Sequence, residues 1–147
     1  MLIREVEYSD LSELLALYTN LHDNTMPVID SDIEILWSNI IDDKNHHVIV
    51  GVVDDNIVSS CVVVIVPNLT HQQRPYALIE NVITHPAYRG KGYATQLLDH
   101  AKIIAKANHC YKIMLMTGSK KQATLGFYER AGYNRNDKTA FIQWLDL

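Results

Sequence analysis

The sequence predicts an α+β domain in which antiparallel strand pairs are combined with one β-loop-α-β unit. Three observations support this prediction: Val- and Ile-rich segments separated by short polar turns, apolar residues at helical spacing in four segments, and a glycine-containing loop that connects a strand to a helix. A chain of 147 residues matches one ordinary domain of roughly 100–150 residues. We therefore expect a single domain spanning residues 1–147.

The first segments predict a strand followed by two helices. Residues 1–8 alternate with period two, which is typical of a half-buried strand at or near a sheet edge. Asp10 precedes apolar residues at helical spacing, and Asp10 with Glu13 resembles a capping box. After a break that contains Pro27, the helical pattern resumes and predicts a second short helix ending near Asp42.

The middle of the chain predicts three strands. His47 to Asp54 and Ile57 to Val66 are rich in Val and Ile, and they flank Asp55-Asn56 as a two-residue hairpin turn. The polar residues 67–75 predict an exposed loop, and Tyr76 to Thr84 is the next strand. Antiparallel pairing follows from these short connections.

The last third predicts helix, strand, helix and strand in that order. Gly92 to Asn108 has helical spacing, and Lys112 to Thr117 has strand character. A further helix from about Gln122 to Ala131 ends at Gly132, because glycine adopts a left-handed cap at little cost. Ala140 to Leu145 is predicted to close the sheet.

Composition excludes several classes of function. The net charge of −4 and the mean hydropathy of −0.06 disfavour binding to nucleic acid or to a membrane. The longest apolar run, residues 61–66, is far shorter than the roughly 20 residues that span a bilayer. The N-terminus does not look like a signal peptide, and only two cysteines are present, so we expect a cytoplasmic protein with reduced thiols. Seven dispersed histidines show no metal-ligand spacing, so we expect no metal.

The most informative segment, residues 85–94, connects a strand to a helix. Gly90 and Gly92 allow the backbone to turn tightly and to approach a ligand closely. The first amides of the following helix have no intrahelical partner, and the positive end of the helix favours a phosphate there. Arg89 and Lys91 add full positive charges. The alternative interpretation is an ordinary strand-to-helix turn, and neither a Walker A loop nor a Gly-x-Gly-x-x-Gly motif is present.

This segment resembles motif A of the GNAT (Gcn5-related) N-acetyltransferases, Arg/Gln-x-x-Gly-x-Gly/Ala, which Arg89, Gly92 and Ala94 satisfy. Residues 127–133 resemble motif B of the same family, and residues 79–82 show local similarity to glucosamine-6-phosphate N-acetyltransferases. The resemblance implies the GNAT fold: an α/β/α-layered, mixed and mostly antiparallel sheet, splayed between strands 4 and 5 and flanked by about four helices.

The resemblance also implies which residues hold acetyl-CoA. The strand before the loop often carries a bulge, whose unpaired amides can hold the pantetheine arm or the thioester oxygen. The implied coenzyme-binding residues are Asn81, Val82, Ile83, Arg89, Gly90, Lys91, Gly92, Tyr93, Ala94, Thr95 and Ser119. Ser119 stands near the position where many relatives carry Asn. Lys120 and Lys121 either meet the 3′-phosphate of coenzyme A or form a solvated surface.

Two residues are candidates for proton transfer. Glu80 is a carboxylate in an apolar strand, and we expect partial burial to make it a better general base toward an ammonium substrate. The alternative places Glu80 on a solvent face or in an ion pair. Tyr128 matches the motif B tyrosine that protonates the departing thiolate in many relatives, and its alternative role is core packing. Ser59, Ser60 and Cys61 lack a nearby base in sequence, so a covalent acyl-enzyme is not supported.

The sequence thus predicts an acyl-CoA-dependent N-acetyltransferase that acts on a primary amine of a small molecule or peptide by direct attack in a ternary complex. In this fold the segment from Tyr18 to Ile35 usually walls the acceptor pocket. The alternatives are a non-catalytic acyl-CoA-binding or sensing module and a plain α/β interaction domain. A homodimer is common in the family. The sequence leaves open the acceptor and the acyl-chain preference.

Overall fold

A computed structural model describes residues 1–22 and 24–145. The chain divides into two compact units, Met1–Leu115 and Met116–Leu147. The first unit contains the whole sheet and three of the four α-helices of the described chain, and the second contains the last helix and the C-terminal residues.

The sheet of the first unit has five strands in the order β1-β2-β3-β4-β5. The first three neighbouring pairs are antiparallel, and β4 pairs with β5 in parallel. The mixed, mostly antiparallel sheet is therefore confirmed, with the first strand at an edge as expected. The strands are β1 (Leu2–Glu5), β2 (His46–Val53), β3 (Asn56–Val66), β4 (Tyr76–Thr84) and β5 (Ile113–Leu115).

The residues that the structure describes form four α-helices and two single 3₁₀ turns. Asp30 caps the second helix, because its Oδ1 accepts from the Ile33 amide at 3.0 Å. Gly132, with φ of 97°, adopts the left-handed conformation predicted after the last helix. The helices are α1 (Leu11–Tyr18), α2 (Ser31–Asp42), α3 (Tyr93–Ala107) and α4 (Gln122–Arg130), and the 3₁₀ turns are Tyr8–Asp10 and Pro86–Tyr88.

Within the first unit, the helices cover both faces of the sheet. Side chains of α1 and α2, including Leu14, Leu17 and Trp37, pack with Val62 of β3 and Val50 of β2 in one buried cluster. The helix α3 packs on β2, β3 and β4, and the Cys61 sulfur lies 4.0 Å from the carbonyl oxygen of Leu97 on the α3 side. The layered arrangement that the resemblance implied is confirmed for this unit.

Two local predictions about helix capping and turn position need correction. The Asp10–Glu13 capping box does not form, because the Asp10 carboxylate instead binds the Arg4 guanidinium at 2.6 and 3.0 Å and the Glu7 amide. Glu13 accepts from the amide of Ile57. The β2–β3 turn is Asp54-Asp55, one residue earlier than predicted, and both residues have positive φ as a type I′ hairpin requires.

The predicted closing strand at residues 140–145 is absent from the described chain. These residues have no regular secondary structure, and Phe141 and Trp144 are 93% and 84% exposed. The apolar pattern predicted a strand, but a strand also requires a partner, and within the described residues none pairs with this segment. Within the described residues, no helix is both long and apolar enough to pass through a lipid bilayer.

Candidate functional site

A bulge interrupts β4, the strand in which the family resemblance implied one. Ser60 pairs with Ile83 and Val62 pairs with Glu80, so two steps along β3 are matched by three steps along β4. Asn81 and Val82 therefore oppose Cys61 alone, and Asn81 has φ of 51°. A bulge of this kind leaves one residue without a ladder partner and redirects the backbone groups next to it.

β4 and β5 separate directly before this bulge. Their pairing comprises Ala77 with Ile113, Leu78 with Met114 and Ile79 with Leu115. Beyond Ile79, β4 continues for five residues to Thr84 without a partner in β5. The predicted splay between strands 4 and 5 is confirmed, and residues 80–84 have no partner in β5.

The loop that follows β4 is shaped by its own side chains. The Nδ1 atom of His85 accepts from the Ala87 amide at 3.1 Å, and the Arg89 Nε donates to the Thr84 carbonyl oxygen at 3.0 Å. Arg89 thus ties the loop back to the end of β4. The ammonium of Lys91 lies 5.0 Å from the centre of the Tyr88 ring, a cation–π contact that keeps this charge beside the loop.

The two glycines of the loop have backbone conformations that other residues adopt only with strain. Gly90 and Gly92 have φ of 76° and 77°. A Cβ atom built on either glycine would meet no atom within 4 Å. Neither glycine is therefore required by crowding inside the protein, and the space above both is open on the side where a Cβ would stand.

Gly92 is also the N-cap of α3, and no side chain caps this helix. The first helical hydrogen bond of α3 runs from the Gln96 amide to the Gly92 carbonyl oxygen. The amides of Tyr93, Ala94 and Thr95 consequently have no acceptor within the helix. Three open amides at the positive end of a 15-residue helix, beside Arg89 and Lys91, form a site suited to a phosphate or diphosphate.

Glu80 lies beside the bulge, on the face of the sheet covered by α1 and α2. It pairs with Val62, whose side chain belongs to the cluster formed with those helices, and directly paired residues point to the same face. The expectation of partial burial is wrong, because Glu80 is exposed. Within the described residues it makes no ion pair. Its carboxylate is accessible at the open end of β4.

Tyr18 lies near the bulge on the same face. It is the last residue of α1, and its phenol is in the neighbourhood of Ser60 and Asn81. Burial raises the pKa of this phenol. From the sequence, Tyr18 was expected only as the first residue of the segment that walls the acceptor pocket. No local pattern predicts that residues 18 and 81 lie near each other.

Ser119 and Tyr128 belong to the second unit. The Ser119 hydroxyl accepts from the Lys121 amide at 3.3 Å, directly before α4 begins. Tyr128 lies half-buried on α4, and its ring makes edge contacts with Phe127 and Tyr133 at 4.9 and 6.4 Å between centroids. Lys120 and Lys121 are exposed. The predicted roles of these residues stay predictions.

The cysteines are poorly placed for nucleophilic chemistry. Cys61 is fully buried, and burial raises the pKa of its thiol to about 12. Burial also raises the pKa of Cys110. Among the described residues, no three His, Cys, Asp or Glu side chains gather into a possible metal site.

The fold and the loop together define an α+β protein with a splayed mixed sheet and an anion-accepting turn at the start of α3. Residues 10–133 match the model of the acetyltransferase (GNAT) family. A glucosamine 6-phosphate N-acetyltransferase from Trypanosoma brucei brucei is 32% identical over 141 residues, covering 92% of this chain and 90% of the relative.

Solved structures agree with this match. A putative acetyltransferase from Agrobacterium tumefaciens str. C58 superposes with a TM-score of 0.90 at 33% identity, covering 98% of this chain and 100% of the other. Glucosamine-6-phosphate N-acetyltransferase from Arabidopsis thaliana shares the fold, with a TM-score of 0.87 at 22% identity over 99% of this chain and 98% of the other. This chain belongs to the GNAT acetyltransferase family.

Proposed function

We propose that this protein transfers an acetyl group from acetyl-CoA to a primary amine within a ternary complex, and that residues 1–147 act as one acetyltransferase domain. The observation that carries the proposal is the turn from Arg89 to Thr95. Its two left-handed glycines, two cations and three open amides fit the diphosphate of coenzyme A. The open edge of β4 fits an extended arm that needs main-chain partners.

The bulge supplies the donors that acyl transfer requires. Attack on a thioester places negative charge on the carbonyl oxygen, and one well-placed amide stabilises such charge by about 2.7–4 kcal/mol. The candidates are the amides of Asn81, Val82 and Ile83, which lie at or beside the extra residue of β4. We propose that these amides hold the pantetheine arm and the thioester oxygen.

The proton transfers are assigned to Glu80 and Tyr128. An alkylammonium group with a pKa of about 10.4 must lose a proton before its nitrogen can attack. Glu80 accepts that proton, either directly or through one water, and its exposure allows either route. As the new C–N bond forms and the C–S bond breaks, Tyr128 donates its proton to the coenzyme A thiolate.

Direct attack is supported over a covalent acyl-enzyme. The thiolate is the nucleophilic form of cysteine, and a pKa of about 12 keeps Cys61 protonated at neutral pH. Ser59 and Ser60 are fully buried, and their hydroxyls bind the carbonyl oxygens of Ile83 and Ile49 at 2.9 Å. These three residues at the centre of β3 therefore support structure rather than nucleophilic catalysis.

The acceptor site is proposed on the α1 and α2 side of the sheet, where Glu80 also lies. The segment from Tyr18 to Ile35 contains the acidic residues Asp23, Asp30, Asp32 and Glu34, and carboxylates suit a cationic amine. Glucosamine 6-phosphate is the first amine to test, because a relative 32% identical over 92% of this chain carries that name. Aminoglycosides, free polyamines and lysine-containing peptides complete a useful panel.

Two measurements test the proposal together. Calorimetric titration with coenzyme A should show binding that is weakened by Arg89→Ala and by Lys91→Ala. The matched control is Lys102→Ala, which removes a cation of α3 that pairs with the exposed Asp99. Release of free thiol from acetyl-CoA should then require one of the amines in the panel.

Each alternative function predicts a different outcome. Tight coenzyme A binding without thiol release under any amine would favour the sensing module. Absence of coenzyme A binding would overturn the enzymatic assignment and favour a plain interaction domain.

A further inference from the structure

Three side chains of β4 lie in a row on the face of the sheet that carries Glu80. Tyr76, Leu78 and Glu80 alternate along the strand, and its pairing with β3 is regular between them. Leu78 pairs with Val64, which packs against the buried cluster formed with α1 and α2, so all three side chains share that face. Tyr76 and Leu78 are half-buried, and Glu80 is exposed. This row, the β4 strip, therefore leads from Tyr76 to the proposed base.

A lysine stands at the end of the β4 strip that is farther from Glu80. Lys112 directly precedes β5, and its ammonium lies 5.0 Å from the centre of the Tyr76 ring and 5.4 Å from the centre of the Tyr111 ring. Both are cation–π contacts. Within the part of the chain that the structure describes, Lys112 makes no ion pair. The β4 strip thus has a carboxylate at one end and a positive charge at the other.

Contacts between two loops fix the surroundings of Lys112. The ring of His71 stacks on the ring of Tyr111, with centroids 3.9 Å apart and planes inclined by 18°. The guanidinium of Arg74 donates to two carbonyl oxygens of the loop before β5, at 3.1 and 3.2 Å. These contacts join the loop before β4 to the loop before β5, and they bring a second positive charge, that of Arg74, to the same two loops.

The spacing of the opposite charges defines the kind of acceptor that fits. Tyr76 and Glu80 are four residues apart, which is about 13 Å along a strand. Because long side chains at both ends can lean along the β4 strip, an acceptor whose amine and anion lie roughly 8–12 Å apart would reach both. The ammonium of lysine binds phosphate or carboxylate as a point charge. Tyr76 and Leu78 offer apolar contact to the part of the acceptor between its charges.

We propose that Lys112, held by Tyr76 and Tyr111, binds an anionic group of the acceptor, so that the preferred amines carry a phosphate or a carboxylate about 10 Å from the nitrogen. The inference rests on the proposed acetyl transfer to an amine at Glu80. It goes further, because the acidic segment from Tyr18 to Ile35 suits the amine but not a negative charge on the same molecule. Lys112 acts in acceptor binding, whereas the loop at residues 89–95 is proposed to hold coenzyme A.

The main test compares anionic acceptors with neutral counterparts. Glucosamine 6-phosphate is paired with glucosamine, and triglycine, which is about 10 Å long when extended, is paired with triglycine amide. The ratio of kcat/KM within a pair cancels effects common to both members. Wild type should favour one anionic member about 10- to 100-fold, as expected for one charged hydrogen bond, and Lys112→Gln should bring that ratio close to one. The pair that shows the preference identifies the anion as phosphate or carboxylate.

Further variants distinguish the charge of Lys112 from its packing. Lys112→Arg keeps a cation over the rings and should retain most of the preference, whereas Lys112→Met keeps an unbranched apolar chain and should lose it. The matched control is Lys102→Gln, which removes a cation of α3, the helix on the other face of the sheet, and it should keep the wild-type ratio. Equal ratios in wild type and in all Lys112 variants would mean that Lys112 only packs on the rings, and they would overturn the proposal.

A binding measurement separates this inference from the proposed activity. In the presence of coenzyme A no acetyl group is available, so calorimetric titration with the same four compounds measures recognition alone. An affinity for an anionic member that falls about tenfold or more in Lys112→Gln would support the inference even if no acetyl transfer is detected, and would reject only the activity. Acetyl transfer without preference for either anionic member would overturn the inference and leave the proposed function intact. Failure of both anionic members to bind would also overturn the inference.

Discussion

Replacement of Gly92 by alanine separates the cost of a left-handed backbone from the cost of blocking a ligand. The added Cβ meets no atom within 4 Å, so it causes no steric clash in the free protein. The residue would still have to adopt φ of 77°, which costs roughly 1–2 kcal/mol for a residue with a Cβ. Reduced freedom of the unfolded chain returns about 0.4–1 kcal/mol. We expect a net destabilisation of about 1 kcal/mol, or a fall in Tm of about 2–4 °C.

The same methyl group should have a larger effect on ligand binding. It would stand in the open space beside the uncapped amides of α3, where the diphosphate is proposed to lie. Loss of one charged hydrogen bond costs about 1.5–3 kcal/mol, so the affinity for coenzyme A should fall about 10- to 100-fold. Calorimetric titration of folded protein measures this effect, and thermal unfolding measures the first.

Gly132→Ala is the matched control. Gly132 also has a positive φ, 97°, and a Cβ there would likewise meet no atom within 4 Å. It should lose similar stability and keep wild-type affinity for coenzyme A. Unchanged affinity in Gly92→Ala, alongside the expected loss of stability, would refute the placement of the diphosphate over this turn.

Three further predictions concern single side chains. Glu80→Gln should lower kcat/KM at pH 7 by about 100-fold or more, with a gap that narrows as the pH approaches the amine pKa of about 10.4. Asp99→Asn, which removes an exposed carboxylate of α3, is the control and should leave turnover unchanged. A Glu80→Gln enzyme of normal activity would contradict the assignment of Glu80 as the general base. Tyr128→Phe should keep the fold and lower kcat about 100-fold with little change in the KM for acetyl-CoA; an unaltered kcat would leave only a packing role. Asp10→Asn should cost about 1–2 kcal/mol at pH 7, because Asp10 loses charged hydrogen bonds to Arg4. The Arg4 hydrogen bond lowers the pKa of Asp10, so this stabilisation is present above about pH 4 and disappears as the pH falls through the pKa of the folded protein. Denaturant unfolding of both proteins from pH 7 to 2 should show the difference in their free energies of unfolding decreasing. A constant difference would contradict the expected direction of the pH dependence.

Most elements could be predicted from local sequence because their signals are local. β4 was predicted to the residue, since its apolar run is bounded by polar residues and prolines. The loop at residues 85–94 was predicted because glycine spacing and helix periodicity lie within one short segment. The β2–β3 turn was misplaced by one residue, because Asp54, Asp55 and Asn56 all tolerate a left-handed backbone.

The errors arose where the outcome depends on distant residues. Apolar neighbours predicted a partly buried Glu80, but pairing with β5 ends at Ile79, and Glu80 and Asn81 directly after it are exposed. Asp10 was predicted to cap α1, yet Arg4 and the Glu7 amide compete successfully for its carboxylate. Residues 140–145 have apolar side chains suited to a strand, but a ladder needs a partner that periodicity cannot supply.

The extra residue in β4 also determines on which face of the sheet the following side chains of the strand lie. Before it, even-numbered residues such as Glu80 share the α1 and α2 face, whereas after it the odd-numbered Ile83 packs into that same buried cluster. If the same sequence paired without the bulge, one residue of β4 to each residue of β3, Ile83 would turn away from its core or Glu80 would move to the other face. Deletion of one residue at 81 or 82 would instead give a regular ladder with Glu80 and Ile83 both on their present face. In this sequence, the extra residue that interrupts β4 at the proposed ligand site is thus also the residue that lets Ile83 pack into the core.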